Sequence, residues 1–144
     1  MKPLQGVRIV SIEQFGAAPY GTMLLADLGA EVIKVENAGI AGDPARHTGP
    51  YMLGEADSQY FQAFNNSKKS VSLDLRSPEG KAALKQLILD SDAVINNLRG
   101  DLPAKMGLDY KSLSATKPSI VCVHLSAYGR DNERASWPGY DYLM

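Results

Sequence analysis

The sequence has 144 residues, 44% of them hydrophobic and 22% charged, which is typical of a globular protein with one α/β domain and a core of its own. Its 15 Lys and Arg and 16 Asp and Glu give a net charge of −1, so no global field draws the chain onto nucleic acid or an anionic membrane. The single Cys122 excludes an internal disulfide and a cysteine-rich metal site.

Apolar runs in the sequence stay short of the roughly 20 residues that a membrane-spanning helix needs. The N-terminal residues also lack the apolar segment of a signal peptide. We therefore expect a cytoplasmic protein that binds neither nucleic acid nor a membrane.

The beginning of the chain predicts a strand, a helix and a second strand. Residues 6–12 alternate apolar and polar side chains and are rich in β-branched residues, which indicates a strand. A loop of small residues at 16–19 precedes a helix over 20–28, and a second strand spans 30–36. Met23, Leu24 and Leu28 lie on one stripe of the predicted helix. Such a unit normally forms a right-handed parallel crossover.

The middle of the chain begins with an irregular stretch. Residues 37–57 contain four Gly and two Pro without a sustained period, which predicts a long functional loop. The aromatic residues of 60–64 predict a short helix, and residues 70–75 a third strand. Ser77 as N-cap and Pro78 at the first position predict a helix that runs to about Asp90. Its predicted inward residues are Leu84, Leu87 and Ile88.

Two more strands and two short helices complete the pattern. Strands are predicted at 92–96 and 120–125, and the apolar run of the latter favours a buried central position in the sheet. Short helices are predicted over 101–106 and from Asp109 up to Pro118. The alternation of strands and helices predicts an α/β fold, Rossmann-like, with an open, mainly parallel sheet and helices on both faces.

Ligands of open α/β sheets bind outside the carboxyl ends of the strands. This rule selects the loops that begin near residues 13–16, 37, 76, 97–99 and 126–128. Cations lie in or near several of them, namely Lys68, Lys69, Arg76, Arg99 and Lys105. A basic rim on a nearly neutral domain suits a small polyanion better than a duplex.

Simpler interpretations remain open for these side chains. A pair such as Lys68 and Lys69 in a turn is usually just part of a solvated loop, and Arg76 after a strand is as typical of pairing with a surface acid as of binding phosphate. His124 and Cys122 alternate on one strand, which favours core residues over a catalytic base and a reactive thiol.

The first strand, glycine loop and helix imitate a dinucleotide-binding unit, with Glu36 where an acid could accept a ribose hydroxyl. The G-x-G-x-x-G fingerprint is missing, because Gly16 and Gly21 have no third partner. Pro19 also lacks the N–H that would donate to a pyrophosphate. A nicotinamide dinucleotide is therefore not expected.

Ten segments resemble, in order and spacing, the N-terminal portion of class III CoA-transferases (CaiB/BaiF type). They are residues 6–10, 17–19, 28–36, 42–44, 64–70, 73–75, 77–80, 92–97, 106–108 and 118–120. The resemblance implies that residues 1–144 form one Rossmann-like CoA-binding domain of a longer enzyme that assembles as an interlocked homodimer. It also implies acyl-CoA and a carboxylic acid as substrates, with no permanently bound cofactor.

The same resemblance implies a set of binding residues. The loop beside the thioester would contain Gln14, Gly16 and Ala17, and Asn37 would contact CoA. The adenosine side would be bound by Leu73, Asp74, Leu75 and Arg76. The pantetheine and phosphates would be contacted by Asn97, Leu98, Arg99 and Lys105. A further contact segment would consist of Pro138, Gly139 and Tyr140.

In the transferases an Asp carboxylate attacks the thioester and forms an acyl-enzyme anhydride. The resemblance implies that this Asp follows Met144, with Asp141 as an auxiliary acid or base and Gln14 as a second catalytic candidate. Two alternatives stay open: a racemase or epimerase of the same family, and a non-catalytic CoA-binding fragment. Tyr140 stands in or near the position of the racemase His, which disfavours the racemase. Gln14 and Gly16 depart from formyl-CoA transferase, which disfavours formyl and oxalyl substrates.

Overall fold

Seven strands and five α-helices make up the regular structure of residues 1–140, the part of the chain that the computed structural model describes. The strands are β1 (Arg8–Ile12), β2 (Glu31–Asn37), β3 (Met52–Gly54), β4 (Asp57–Ser58), β5 (Lys69–Leu73), β6 (Ala93–Asn96) and β7 (Val121–His124). The helices are α1 (Ala17–Asp27), α2 (Gln59–Asn65), α3 (Pro78–Leu89), α4 (Leu102–Lys105) and α5 (Tyr110–Leu113), with two 3₁₀ turns, Ala38–Ile40 and Pro44–His47.

The main sheet has the strand order β5-β2-β1-β6-β7, and all four of its pairings are parallel. Strand β1 lies at the centre, where Val10 is in register with Ile33 of β2 and with Val94 of β6. The carboxyl ends of the five strands therefore meet at one edge, as the sequence predicted.

Helices pack on both faces of this sheet, which confirms the predicted α/β architecture. On one face the sheet residues Val10, Ile12 and Val94 pack in one cluster with Leu84 and Ile88 of α3. On the other face Ile9, Val32 and Ile95 pack with Ala26 of α1. Because β1 is covered on both sides, its residues are buried continuously from Ile9 to Ile12, including the polar Ser11.

Helix α3 confirms the prediction made from its capping residues. The Ser77 hydroxyl accepts a hydrogen bond from the Gly80 N–H at 2.9 Å, and Pro78 occupies the first turn. Leu84 and Ile88, four residues apart, are buried on the same side of the helix.

Helix α1 differs from the prediction in its start and in its buried face. It begins at Ala17 rather than at residue 20, since Pro19 is tolerated in a first helical turn. Leu24 and Leu28 are 44% and 45% exposed, so the predicted apolar stripe is not the buried face of the helix. The buried residues are instead small ones, namely Ala18, Pro19, Thr22 and Ala26, which allow the helix to approach the sheet closely.

Strand β7 also differs from the prediction. Within residues 1–140 it pairs with β6 and lies at the edge of the sheet, not at its centre. Val121 and Val123 on one face are 56% and 39% exposed. An apolar run alone does not distinguish an edge strand from a central one, because strand order is set by long-range pairing.

The stretch predicted as a long irregular loop, residues 37–57, contains both 3₁₀ turns and the β3–β4 hairpin. Its turns are held by side-chain caps, with Asn37 accepting from Gly39 N and Asp43 from Ala45 N. Among residues 1–140, no helix is long and apolar enough to cross a membrane.

Candidate functional site

A cleft of about 230 Å³ lies at the carboxyl ends of the strands. Its walls come from the ends of β1 and β2, from the segment that follows β5 and from the segment that follows β6. Four predicted binding residues line it, namely Gln14, Asn37, Leu75 and Leu98, together with Asp43 and Met106. Residues from distant parts of the sequence, all near the predicted strand ends, thus line one cleft.

A larger cleft of about 540 Å³ lies between α3 and the α4–α5 region. Its apolar residues include Leu84 and Ile88, and three lysines contribute to its lining, namely Lys81, Lys85 and Lys105. Leu75 and Met106 line both clefts, so the two adjoin at these residues. Together they can hold an extended ligand that has an apolar part and several negative charges.

The loop after β1 is tied to the loop after β6 by Asn97. Its side-chain Oδ1 accepts from Gln14 N at 3.0 Å, and its Nδ2 donates to Gln14 O at 2.8 Å. Both polar groups of the predicted residue Asn97 are therefore hydrogen-bonded to the backbone of Gln14, beside the cleft. The Gln14 side chain is exposed.

The next two predicted residues of this loop, Gly16 and Ala17, differ in how closely they are packed. A Cβ added at Gly16 would lie 3.1 Å from the Tyr60 hydroxyl, so a larger residue there would require the tyrosine side chain to shift. Ala17 is the exposed first residue of α1.

The predicted adenosine-side segment forms a turn between β5 and α3. Leu73 ends β5 in register with Asn37, and Asp74 Oδ1 accepts from Arg76 N at 2.9 Å. The Arg76 side chain is exposed. The turn lies directly on the first turn of α3, because a Cβ at Gly80 would be only 2.0 Å from the Asp74 carbonyl oxygen.

Two predicted phosphate-binding cations share one acid that the sequence interpretation missed. Asp101 lies 2.7 Å from Lys105 Nζ and 3.5 Å from Arg99 Nε. The hydrogen bond from Lys105 lowers the pKa of Asp101, so the carboxyl is ionised near neutral pH. A bound phosphate would compete with Asp101 for these two cations.

The predicted contact segment of Pro138, Gly139 and Tyr140 lies on the β7 side of the sheet edge. Gly139 packs so closely on Ala127 that an added Cβ would be 2.2 Å from the Ala127 Cβ. Trp137 and Tyr128 pack edge to face at 6.0 Å between ring centres. Asp141, the predicted auxiliary acid, lies outside the described residues.

A cluster of four buried charges, formed by Glu13, Lys34, Asp43 and Lys68, lies beside the loop after β1. Lys34 Nζ is 2.6 Å from Asp43 Oδ2 and 3.9 Å from Glu13, and Lys68 Nζ is 2.8 Å from Glu13 Oε1. All four side chains are at most 2% exposed. The two acids and two bases balance, which is how a folded protein keeps charges inside.

Lys68 is therefore not the solvated turn residue that remained open from the sequence. Burial lowers the pKa of its ammonium group, an effect that the Glu13 carboxylate opposes. Its neighbour Lys69 is exposed and pairs with Glu31. One signal in the sequence could have revealed the cluster: Lys34 interrupts the apolar run of Val32, Ile33 and Val35 in the second strand.

Glu36, the acid that imitates a ribose-binding residue, has both carboxylate oxygens bonded within the protein. Arg46 donates to each of them, Ser70 donates to Oε1 and the Asp43 N–H donates to Oε2. Burial raises the pKa of Glu36, but these hydrogen bonds outweigh it and lower the pKa to about 2. The carboxylate is a structural anchor of the segment after β2.

Cys122 and His124 are half-buried on β7. Burial raises the pKa of the Cys122 thiol and lowers that of the His124 ring. His124 Nδ1 lies 2.8 Å from Asn96 Nδ2. In residues 1–140, no three His, Cys, Asp or Glu side chains are grouped closely enough to hold a metal ion.

Comparison with known proteins identifies the family. The family described as CoA-transferase family III matches residues 4–144. The succinate–glutarate CoA-transferase of Agrobacterium fabrum is 38% identical, over 99% of this chain and 36% of its own. The human succinyl-CoA:glutarate CoA-transferase is 37% identical, over 98% of this chain and 32% of its own.

Comparison with solved structures gives similar matches over nearly the whole chain. A CaiB/BaiF family protein from Brucella suis has a TM-score of 0.88 and 36% identity, and the match covers 99% of this chain and 38% of that protein. A protein from Mycobacterium tuberculosis gives a TM-score of 0.86 at 35% identity, over 99% of this chain and 39% of its own. This chain thus spans between 32% and 39% of the length of these relatives. The chain belongs to CoA-transferase family III.

Proposed function

We propose that the protein contributes the CoA-binding part of an enzyme that moves CoA from an acyl-CoA thioester to a carboxylic acid. The observation that carries this proposal is the pair of adjoining clefts at the carboxyl edge of the sheet, on a chain of this family. A transferase of this kind uses CoA as a substrate and needs no resident cofactor.

The shape and charge of the site support an extended CoA molecule. CoA carries a 3′-phosphate and a diphosphate, for which Arg76, Arg99 and Lys105 are the proposed partners, with the arginines able to bind bidentately. The adenosine end would lie along the segment 73–76, and the pantetheine along 97–99. The thioester would then reach the loop formed by Gln14, Gly16 and Ala17, beside the smaller cleft.

The proposed reaction is a pair of acyl exchanges on an aspartate. The Asp carboxylate attacks the thioester carbonyl and the C–S bond breaks, so that CoA leaves as the thiolate and the acyl group remains on the Asp as a mixed anhydride. The acceptor carboxylate displaces the first acid from this anhydride, and the thiolate attacks the new acyl group to form the new thioester and free the Asp. We place that Asp downstream of Met144, with Asp141 as an auxiliary acid or base.

The first substrates to test are succinyl-CoA and glutarate, which the names of the mouse and human relatives contain. The protein at its full natural length is incubated with both, and formation of glutaryl-CoA is followed by mass spectrometry. Related carboxylic acids are then tested as acceptors. Failure to transfer CoA to any acid would refute the proposal, and exchange of the α-proton of an acyl-CoA with solvent deuterium without transfer would favour the racemase alternative.

The binding site is tested separately by calorimetry with CoA. The double substitution Arg76→Ala and Arg99→Ala should weaken CoA binding roughly 10- to 100-fold, because each arginine can make charge-assisted hydrogen bonds to a phosphate. Lys2→Ala is the matched control, since Lys2 lies beside Gly29 at the opposite edge of the sheet. Equal affinities of the double variant and the control would exclude the proposed phosphate contacts.

In this proposal the complete enzyme is a cytoplasmic, interlocked homodimer. Analytical ultracentrifugation of the full-length protein checks the dimer, and a monomer that remains active would refute it.

A further inference from the structure

We infer that Asp43 is a positioning residue for acyl transfer, acting by holding the backbone of Phe15 in the loop beside the smaller cleft. The inference rests on the proposed function, because it assigns to Asp43 a role in that reaction. Asp43 belongs to the buried cluster and does not need to touch the substrate to act.

The contacts of Asp43 connect three separate parts of the chain. Its Oδ1 accepts from Phe15 N at 3.1 Å and from Ala45 N at 2.9 Å, while its Oδ2 accepts from Lys34 Nζ at 2.6 Å. The side chain is fully buried. One carboxylate thus joins the loop after β1, a residue within β2 and the second 3₁₀ turn.

The backbone of Phe15 needs such an external hold. Its φ is +60°, in the left-handed region that a bulky residue adopts only with backbone strain. The neighbouring residue is held by Asn97 through two hydrogen bonds to Gln14. Asp43 supplies the corresponding bond to Phe15, and without it the strained residue is free to relax.

Relaxation of Phe15 would change the shape of the site. Gln14 and Asp43 both line the smaller cleft, so a shift of the loop moves its wall. The proposed phosphate contacts lie on other segments, after β5 and β6. Loss of the Phe15 hold should therefore reduce the rate of transfer and leave the binding of CoA nearly unchanged.

The charge balance of the cluster allows a clean test. Removing the charges of Lys34 and Asp43 together leaves the ion pair between Glu13 and Lys68, which are 2.8 Å apart. Lys34→Met combined with Asp43→Asn removes the ion pair between residues 34 and 43 but keeps an oxygen that accepts from Phe15 N. Lys34→Met combined with Asp43→Ala removes the ion pair and this acceptor.

The two double variants are compared in the full-length protein, with succinyl-CoA and glutarate as the substrates. We expect kcat of the Ala variant to be about 10- to 100-fold below that of the Asn variant, with KM for the acyl-CoA within about threefold, because a small misplacement near the reacting atoms affects rate more than binding. Equal kcat values would overturn the inference. The inference would also be overturned if kcat/KM of the Ala variant fell below that of the Asn variant entirely through a higher KM.

Two further measurements keep the test decisive. If the Ala variant does not fold, Asp43→Glu replaces it, because that change keeps the charge beside Lys34 but moves the acceptor; an unchanged kcat would then overturn the inference. Amide hydrogen exchange at Phe15 needs no turnover: faster exchange in the Ala variant than in the Asn variant supports the hold, and equal rates contradict it. Lack of transfer by the unmodified protein is a different result, which refutes the proposed function.

Discussion

Asn97 and Gln14 exchange two hydrogen bonds across the carboxyl ends of β6 and β1. The Asn97 side chain accepts from the Gln14 N–H at 3.0 Å and donates to the Gln14 carbonyl at 2.8 Å. The backbone hydrogen bonds between β1 and β6 end at Ile12 and Asn96. Beyond that point the Asn97 side-chain amide takes their place. Two neighbouring loops of the candidate site are in this way fixed to each other.

Replacing Asn97 by Ala removes both bonds, and we expect unfolding free energy to fall by about 1–3 kcal/mol, the usual result when hydrogen bonds to backbone groups are lost. Transfer activity should fall as the Gln14 loop loses its partner. Urea unfolding measures the first effect. Asn66→Ala, at an exposed residue after α2, serves as the control and should change stability by less than about 0.5 kcal/mol. Equal stability of the two variants would contradict the prediction.

Replacing Asp101 by Asn should tighten CoA binding by a few-fold. The substitution removes a carboxylate that is paired with Lys105 and Arg99 and would compete with the phosphates. Calorimetry at low and high salt checks this, and the gain should shrink as salt screens the charges. Asp27→Asn, at the end of α1, is the control for a general change in charge. Weaker binding by the Asp101 variant would show instead that the acid orients the two cations.

Glu36 makes stability depend on pH in the acid range. Its pKa is lowered from 4.5 to about 2, so its ionised form stabilises the fold above the unfolded pKa and this contribution is lost as pH falls toward 2. At 1.36 kcal/mol per pKa unit, the contribution at neutral pH is about 3 kcal/mol. Urea unfolding at several pH values should show a shallower loss between pH 4.5 and 2 in Glu36→Gln than in the unmodified protein. Glu55→Gln, in the exposed β3–β4 turn, should keep the original slope; identical slopes for all three proteins would disprove the role of Glu36.

Two glycines in helices should respond to Ala in opposite directions. Gly80→Ala should destabilise the fold by about 1–3 kcal/mol, because the new Cβ would lie 2.0 Å from the Asp74 carbonyl and push the turn of Arg76 outward. Gly21→Ala on α1 meets nothing within 4 Å and should stabilise by up to about 1 kcal/mol. Thermal unfolding measures both. Similar shifts for the two variants would contradict the close contact between Asp74 and α3.

The sequence predicted best where the determining contacts are local. Helix α3 could be read from Ser77, Pro78 and the spacing of Leu84 and Ile88, since capping and periodicity act within a few residues. Helix α1 shows the limit of the same reasoning. Its apolar Leu24 and Leu28 are exposed and its small residues are buried, because closeness to the sheet decided which face packs.

The candidate site was likewise predicted only in part. The strand-end rule brought Gln14, Asn37, Leu75 and Leu98 to one cleft, since the position of a strand end depends only on the fold class. The partners of the charged residues could not be predicted in this way. Lys68 binds Glu13 from 55 residues away, a pairing that only the folded chain reveals.

The central position of β1 has a consequence for the order of folding. Arg8 of β1 pairs with Glu31 of β2 across 23 residues, whereas its N–H bonds to Asp92, beside β6, across 84. The half formed by β1, β2 and β5 can therefore assemble while the chain is still being synthesised. The other edge of β1 stays unpaired until residues 93–96 arrive, and such an open apolar edge is prone to pairing with another chain. Long-range parallel pairing is slow in general, so we expect the joining of β6 to β1 to be a late step in completing the candidate site.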